Sequence, residues 1–290
     1  MPSNRATARS LSRLLNVFPV AAMRAEWDLR GRTKSDLIGA VVARIDAANI
    51  TDFVEKSVGL TKQHIFLFEH NLNNLNNLPD SVLRTCGPDK VHKTNATAEL
   101  FYLIPLEFAY VAGSPPEEGT IEFPWPVRFV FRRRIVEAHL TTMEKDLEAY
   151  LDELKPVYSA HRDLEDRDII EDFKATLNEI DIVPLDINKG VKQLWANDQI
   201  DAPRLAWKSP VSTRINAMDG EYMVKRDDPE EYEQAKDSPL LKTIFKVLAP
   251  DVNWPEVLLI DATAGEISIP RYSHDPRAIE NIIGEILRLN

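Results

Sequence analysis

Two long runs of aromatic and β-branched residues, 99–111 (ELFYLIPLEFAYV) and 121–136 (IEFPWPVRFVFRRRIV), flank the turn-rich stretch Gly113-Ser114-Pro115-Pro116-Glu117-Glu118-Gly119. Such side chains suit a pleated, half-buried surface, and a short Gly/Pro-rich turn between two such runs joins them as antiparallel neighbours. The chain must therefore build a sheet. Pro105, Pro124 and Pro126 cannot donate to a strand ladder, so edge positions or bulges are expected there. Two further hairpins are expected at 212–226, turning at Asp219-Gly220, and at 257–270, turning at Ala262-Thr263-Ala264-Gly265. Strands that arrive as hairpins, and not as strand-helix-strand units, predict an antiparallel α+β body.

Ahead of the strands, residues 7–83 read as short helices separated by Pro, Gly, Asn or a capping Thr. In 35–48, Leu37, Ile38, Val41, Val42 and Ile45 lay one apolar stripe along a helix. Thr51 and Thr61 look like helix starts, each followed by about ten helical residues. Leucines every third residue in 71–78 suggest a tight helical turn. Helical periodicity returns at 141–154 and 163–180. A final helix is expected after Asp275 and Pro276, with Ile279, Ile282, Ile283 and Ile286 facing the core. The expected fold is a bundle of short helices (1–93) followed by an acidic antiparallel-sheet domain with flanking helices (94–290).

At 290 residues with 44% hydrophobic and 28% charged side chains, the chain can bury a sizeable core. No stretch approaches the roughly 20 apolar residues of a membrane span. Cys86 is the single cysteine, which rules out an intramolecular disulfide and favours an intracellular location, cytoplasmic or otherwise. The net charge of −11 is unevenly placed. Residues 1–93 hold 13 Lys and Arg against 9 Asp and Glu, and the remainder holds 22 against 37. A basic front and an acidic body face different partners. The acidic stretch 138–181 reads as a solvated helix face.

Motifs for familiar chemistry are missing. The ten glycines form neither GxGxxG nor GxxxxGK[ST], and GxSxG is absent. The six histidines include no HExxH, so neither a cofactor nor a metal is expected. His64 and His70, read on a helix, would lie about 120° apart. A restriction-type nuclease centre, a carboxylate followed by carboxylate-x-Lys, has its nearest counterpart in Asp261 with Glu266-Ile267-Ser268, where serine replaces lysine. An acid-base enzyme would draw on Glu107, Glu122, Glu137 and His139, which must then converge in one pocket.

The most informative segment is 20–45, VAAMRAEWDLRGRTKSDLIGAVVARI. A short helix through Met23 and Trp27 precedes a basic connection and an amphipathic helix starting at Ser35. With Leu29, Gly31, Lys34, Leu37 and Ile38 in place, it resembles the SAP motif, a helix-extension-helix DNA-binding module. The resemblance covers about 30 of the 290 residues. It implies contacts to nucleic-acid backbone from Arg24, Arg30, Arg32 and Lys34, cations that also suit the N–H groups at a helix start.

Arg128, Arg132 and Arg134 form a second candidate patch on one face of the strand at 121–136, suited to nucleic acid or, better, to neutralising the acidic stretch 138–181. The expected function is therefore a non-enzymatic nucleic-acid-binding or assembly protein, with nucleic acid and another protein subunit as partners and no membrane association. The alternative is a purely protein-binding subunit with a death-fold-like helical domain, and a metal-dependent or acid-base enzyme ranks third.

Overall fold

The run HIFLFEH, expected within a helix, forms strand β1 (Gln63–His70) at the middle of the sheet. Thr61 explains why no helix starts there: its hydroxyl donates to Val58 O at 2.8 Å and does not cap a following turn. Alternation then serves β1 better than helical winding, because both of its faces are buried. Phe68 and Phe66 enter one apolar cluster, while Ile65 and Leu67 enter another.

The computed structural model describes residues 4–29, 33–44, 47–72, 74–143, 157–178, 180–208, 213–217, 222–249 and 252–290. Helices α1 (Asn4–Asn16), α2 (Val20–Trp27), α3 (Lys34–Val42) and α4 (Ala47–Ser57) precede β1. Then come β2 (Lys90–Lys93), β3 (Ala98–Ala112), β4 (Glu117–Phe131), β5 (Ile135–Thr141), β6 (Val157–Arg162), α5 (Asp166–Thr176), β7 (Ile182–Pro184) and α6 (Asn188–Ala196). The chain ends with β8 (Ile200–Lys208), β9 (Thr213–Ala217), α7 (Val224–Asp227), α8 (Pro229–Ala235), β10 (Lys242–Val247), β11 (Val257–Asp261), β12 (Glu266–Ile269) and α9 (Ala278–Leu289).

Among the described residues, twelve strands form one sheet in the order β2-β3-β4-β5-β1-β12-β11-β10-β8-β9, with β6 beside β3 and β7 beside β1. All pairs are antiparallel. The protein is α+β with helices at its N-terminus, and the sheet draws strands from both sides of residue 93.

The expected β3–β4 pair spans fifteen residues on each strand. Pro105 lies opposite Pro124, and Leu103 opposite Pro126. Across from that pairing, β2 reaches only Phe101, β6 starts at Phe108, and β5 engages β4 only from Val127. The prolines thus occupy strand edges that need no donor. Their pattern continues to Phe131, where Arg132 N donates to Ile135 O and the chain turns back into β5. The single strand expected through residue 136 is therefore two, because a tight arginine turn interrupts it.

Other expectations divide. The β11–β12 hairpin forms as read: Gly265 has φ +68°, and a side chain there would strike Leu185 O and Leu67 O. Helix α9 buries Ile279, Ile282, Ile283 and Ile286, and Asp275 accepts from Arg277 N at 2.7 Å. Leu75–Asn77 is one 3-10 turn. Downstream of β9, however, Val224–Asp227 is helical, not the returning strand expected in 212–226, since Asp227 accepts from Met223 N at 2.8 Å and closes a helical turn. Its Asp219-Gly220 turn, and most of the helix expected at 141–154, lie outside the described residues. Thr141 and Thr142 belong to or extend β5. Thr51 sits inside α4, which begins four residues earlier.

The two faces carry two cores. Leu14, Met23, Leu37, Val54 and Phe173 from α1–α5 cover β3, β4 and β5, with Phe173 stacked on Phe129 at 4.8 Å. On the other side Leu194 and Trp195 of α6 and the isoleucines of α9 cover β8 and β10–β12. Leu67 is fully buried at the strand common to both. Leu67→Ala is expected to destabilise by about 2–5 kcal/mol, the usual range for such truncations. Urea unfolding followed by tryptophan fluorescence and by circular dichroism should show one coincident, shifted transition; two separate midpoints would show that β1 does not couple the cores.

Candidate nucleic-acid interface

Helix α3 starts at Lys34, one residue before the Ser35 expected from the sequence, because Thr33 and Asp36 make a reciprocal cap, each side chain accepting the other's backbone N–H at 3.1 Å. Part of the helix start expected to hold phosphate is thus already bonded within the chain, and an anion must be met mainly by side chains. Leu29, Leu37 and Ile38 of the SAP-like pattern are buried in the first core, and Trp27 packs on Phe53 at 4.3 Å between ring centres. Arg24 is exposed in the last turn of α2. Arg30 and Arg32 lie outside the described residues.

Lys34 is the informative member. Its ammonium donates to Asn16 O, at the C-terminal end of α1, at 2.5 Å, where the helix dipole favours a cation. It also lies 3.4 Å from Tyr272 Oη and 5.2 Å from the centre of that ring. Lys62 Nζ stands at the same 5.2 Å from the ring. Tyr272 itself is 36% exposed. Two ammonium groups, from α3 and from the residue before β1, thus converge on one exposed aromatic ring supplied by the segment after β12.

That segment is held in place by the backbone. Ser273 N donates to Leu60 O, and Gly59 passes so close to Pro276 O that a side chain would overlap it. Lys62 and Tyr272 carry no local sequence signal, being 28 and 238 positions from Lys34. Only the approach of the β12–α9 connection to the helical front brings them together.

The second basic patch is not one surface. Arg128 is 9% exposed and binds Glu99 and Glu280, each at 3.0 Å, tying β3, β4 and α9. Arg132 Nε donates to Glu137 at 2.6 Å. Arg134 is exposed in the turn and lines a cleft with Glu69, His70 and Asn71. The strand ends at Phe131, so the alternation that grouped the three arginines stops before the last two. Among the described residues, Arg128 and Arg132 are neutralised by Glu99, Glu137 and Glu280.

Behind Arg132 runs a buried polar chain. Glu137 and His139 alternate along β5 into the space under α9, with His139 Nε2 at 3.0 Å from Glu137 Oε2 and His139 Nδ1 at 3.0 Å from Gln63 Oε1. The Gln63 amide nitrogen lies 2.6 Å from Val58 O, which turns the amide oxygen toward the imidazole. Burial alone would push the Glu137 carboxyl up, but the hydrogen bond from His139 and the Arg132 guanidinium outweigh it and hold it at about 2. Burial, reinforced by Arg128, pushes His139 down.

Glu107 and Glu122 do not join this pair; they face each other, exposed, across β3 and β4. His70 is buried and bonded at both nitrogens, to Arg132 O and Leu72 N, and burial pushes its pKa down. Cys86 packs against the first core, and burial raises its thiol. Among the described residues, no three His, Cys, Asp or Glu side chains are grouped to hold a metal ion, and no helix is long and apolar enough to cross a membrane. No protein-family model, curated protein or solved structure matches this chain.

The buried pair makes the fold acid-sensitive. Both Glu137 and His139 have folded-state values below their unfolded ones, so the unfolded chain binds protons first and stability is lost as pH falls. The loss should begin near the ordinary histidine value, about 6.5, and continue through the carboxylate range to about 2. Glu137→Gln, which leaves Arg132 without its carboxylate, should cost about 3–5 kcal/mol at neutral pH. It should also flatten the acid limb. Urea midpoints at pH 7, 5 and 3 check this, and equal slopes for both proteins would refute it.

Proposed function

We propose that this protein binds nucleic acid through its phosphate backbone, using Lys34, Lys62 and Tyr272 together with Arg24, Arg30 and Arg32 of the SAP-like segment, and that its acidic body engages another protein subunit. The observation that carries the reading is the convergence of two lysines from separate segments on one exposed tyrosine. Like charges gathered around an aromatic face suit a polyanion that also offers flat bases: phosphates meet the ammonium groups, and a base can stack beside the ring. The basic balance of residues 1–93 supports it, and the SAP-like pattern points to the same segment. Sequence-specific readout is not part of the reading, since the groups involved are cations and one ring.

Fluorescence anisotropy with labelled double- and single-stranded DNA and RNA tests it. Affinity should fall steeply with salt, and Lys34→Gln with Lys62→Gln should weaken binding to every probe and lower the salt slope by about two, one per lost phosphate contact. Circular dichroism confirms that the variant stays folded. Absence of binding to all probes at low salt would sink the proposal and leave the protein-binding subunit as the better reading.

A further inference from the structure

The face of the sheet that carries Phe66 and Phe68 into the first core continues onto β12, β11 and β10, where Glu266, Ser268 and Asp261 are half-buried and Lys242 is exposed. There it forms a cleft of about 250 Å³ whose lining includes His64, Phe66, Lys242, Asp261, Glu266 and Ser268. Register builds it. His64 lies opposite Ser268, Phe66 opposite Glu266, Glu266 opposite Asp261, and Asp261 opposite Lys242. His64 and Glu266 are thus diagonal neighbours on one face, a relation that sets backbones about 7–8 Å apart and leaves room for a small group between the side-chain ends.

Asp166, in the first turn of α5, holds His64 Nδ1 at 2.5 Å, while its other oxygen lies 3.4 Å from Arg162. Nδ1 donates to this carboxylate, and Nε2 has no hydrogen-bond partner among the described residues. Burial, with Asp261 adding to it, raises the Glu266 carboxyl, against the pull of Lys242 and His64. A carboxylate of this kind is a better proton acceptor than a solvated one. The missing basic residue of the Asp261 and Glu266-Ile267-Ser268 pattern is supplied by Lys242, from the next strand.

The cleft continues the candidate nucleic-acid interface. Thr142 N donates to Lys62 O, which extends the β1–β5 ladder by one residue and puts Lys62 on the face of His64. At about 3.3 Å per residue, the two stand about 7 Å apart along β1. A nucleic-acid strand held at Lys62 and following β1 would bring its neighbouring phosphate to the cleft.

We infer that this cleft cleaves RNA by internal transphosphorylation, with Glu266 as general base, His64 as general acid and Lys242 as the cation facing the phosphate. The inference rests on the nucleic-acid reading above. RNA is the substrate because it alone carries its nucleophile, the 2′-hydroxyl, beside the phosphodiester. Glu266 takes the 2′-hydroxyl proton as the 2′-oxygen bonds to phosphorus. The bond from phosphorus to the 5′-oxygen breaks, and the imidazolium Nε2 proton of His64 passes to that departing oxygen. The products are a 2′,3′-cyclic phosphate and a 5′-hydroxyl. Water then opens the ring, giving its proton to His64 while Glu266 returns its own to the 2′-oxygen, which restores both groups. Asp166 acts through His64 as a positioning residue.

The test incubates the full chain with a single-stranded RNA pool and its all-2′-deoxy counterpart in EDTA, with ends analysed by mass spectrometry. The expected result is cleavage of RNA only, with 5′-hydroxyl ends opposite 2′,3′-cyclic phosphates that convert to 3′-phosphates. His64→Asn and Glu266→Gln, purified identically and folded by circular dichroism, should each lose about 10²–10⁴-fold in rate. Asp166→Asn should lower kcat with little change in KM. Binding of the deoxy pool is measured beside it: RNA left intact by a protein that binds the deoxy pool overturns the cleavage inference alone. Failure to bind either pool removes the interface reading and this inference with it. Cleavage undiminished in His64→Asn and Glu266→Gln also overturns the assignment.

Discussion

The structure depends on burying β1 from both sides. Its odd-numbered apolar residues, Ile65 and Leu67, and its even-numbered ones, Phe66 and Phe68, face opposite cores, and its two edges bond to β5 on one side and to β12 and β7 on the other. The middle of such a strand, Ile65 to Phe68, reads as a continuous apolar run without polar alternation, and its ladder partners are distant in sequence. The N-terminal helices and the C-terminal helix are thereby fixed on opposite faces of one sheet.

Polar side chains near β1 follow from that placement. Gln63, at its start, bonds His139 on β5, and the chain through Glu137 to Arg132 fills the space under α9. Arg128 adds the link from β4 to Glu280 on α9. Ionic groups buried this deeply cost much to desolvate and hold only while every partner is in place, so they specify the seating of α9 more than they add stability. Arg128 and Arg132, two of the three arginines of the second basic patch, are consumed in this internal task.

The exposed counterpart of that arrangement lies along the same strand. Lys62 and His64 stand on one face of β1, with Tyr272 reaching the first from beyond β12 and Ser268 and Glu266 flanking the second from within β12. The chain that closes the fold at Gly59 and Pro276 is the one that completes the basic cluster. Stability and the proposed function therefore draw on the same β1–β12 ladder: a change that shifts the register of β12 would displace the cluster and the cleft together.

By itself the sequence determined the elements whose signal is local. Aromatic and β-branched runs around a Gly/Pro turn made the β3–β4 pair, Gly265 made the last hairpin, and a stripe of isoleucines behind Asp275 and Pro276 made α9, because turn chemistry and periodicity act within a few residues. The apolar stripe of Leu37, Ile38 and Val41 likewise marked α3, whose start the structure places one residue earlier than the Ser35 read from the sequence. The helix read at Thr61 failed because HIFLFEH is buried on both faces, a property that no window of neighbouring residues contains. Only the tertiary structure decided which cations face outward: Arg128 and Lys62 look alike in sequence, yet one is locked between Glu99 and Glu280 and the other meets Tyr272 at the surface. Charge pairing depends on distance in space, and those distances were set by β1 joining two ends of the chain.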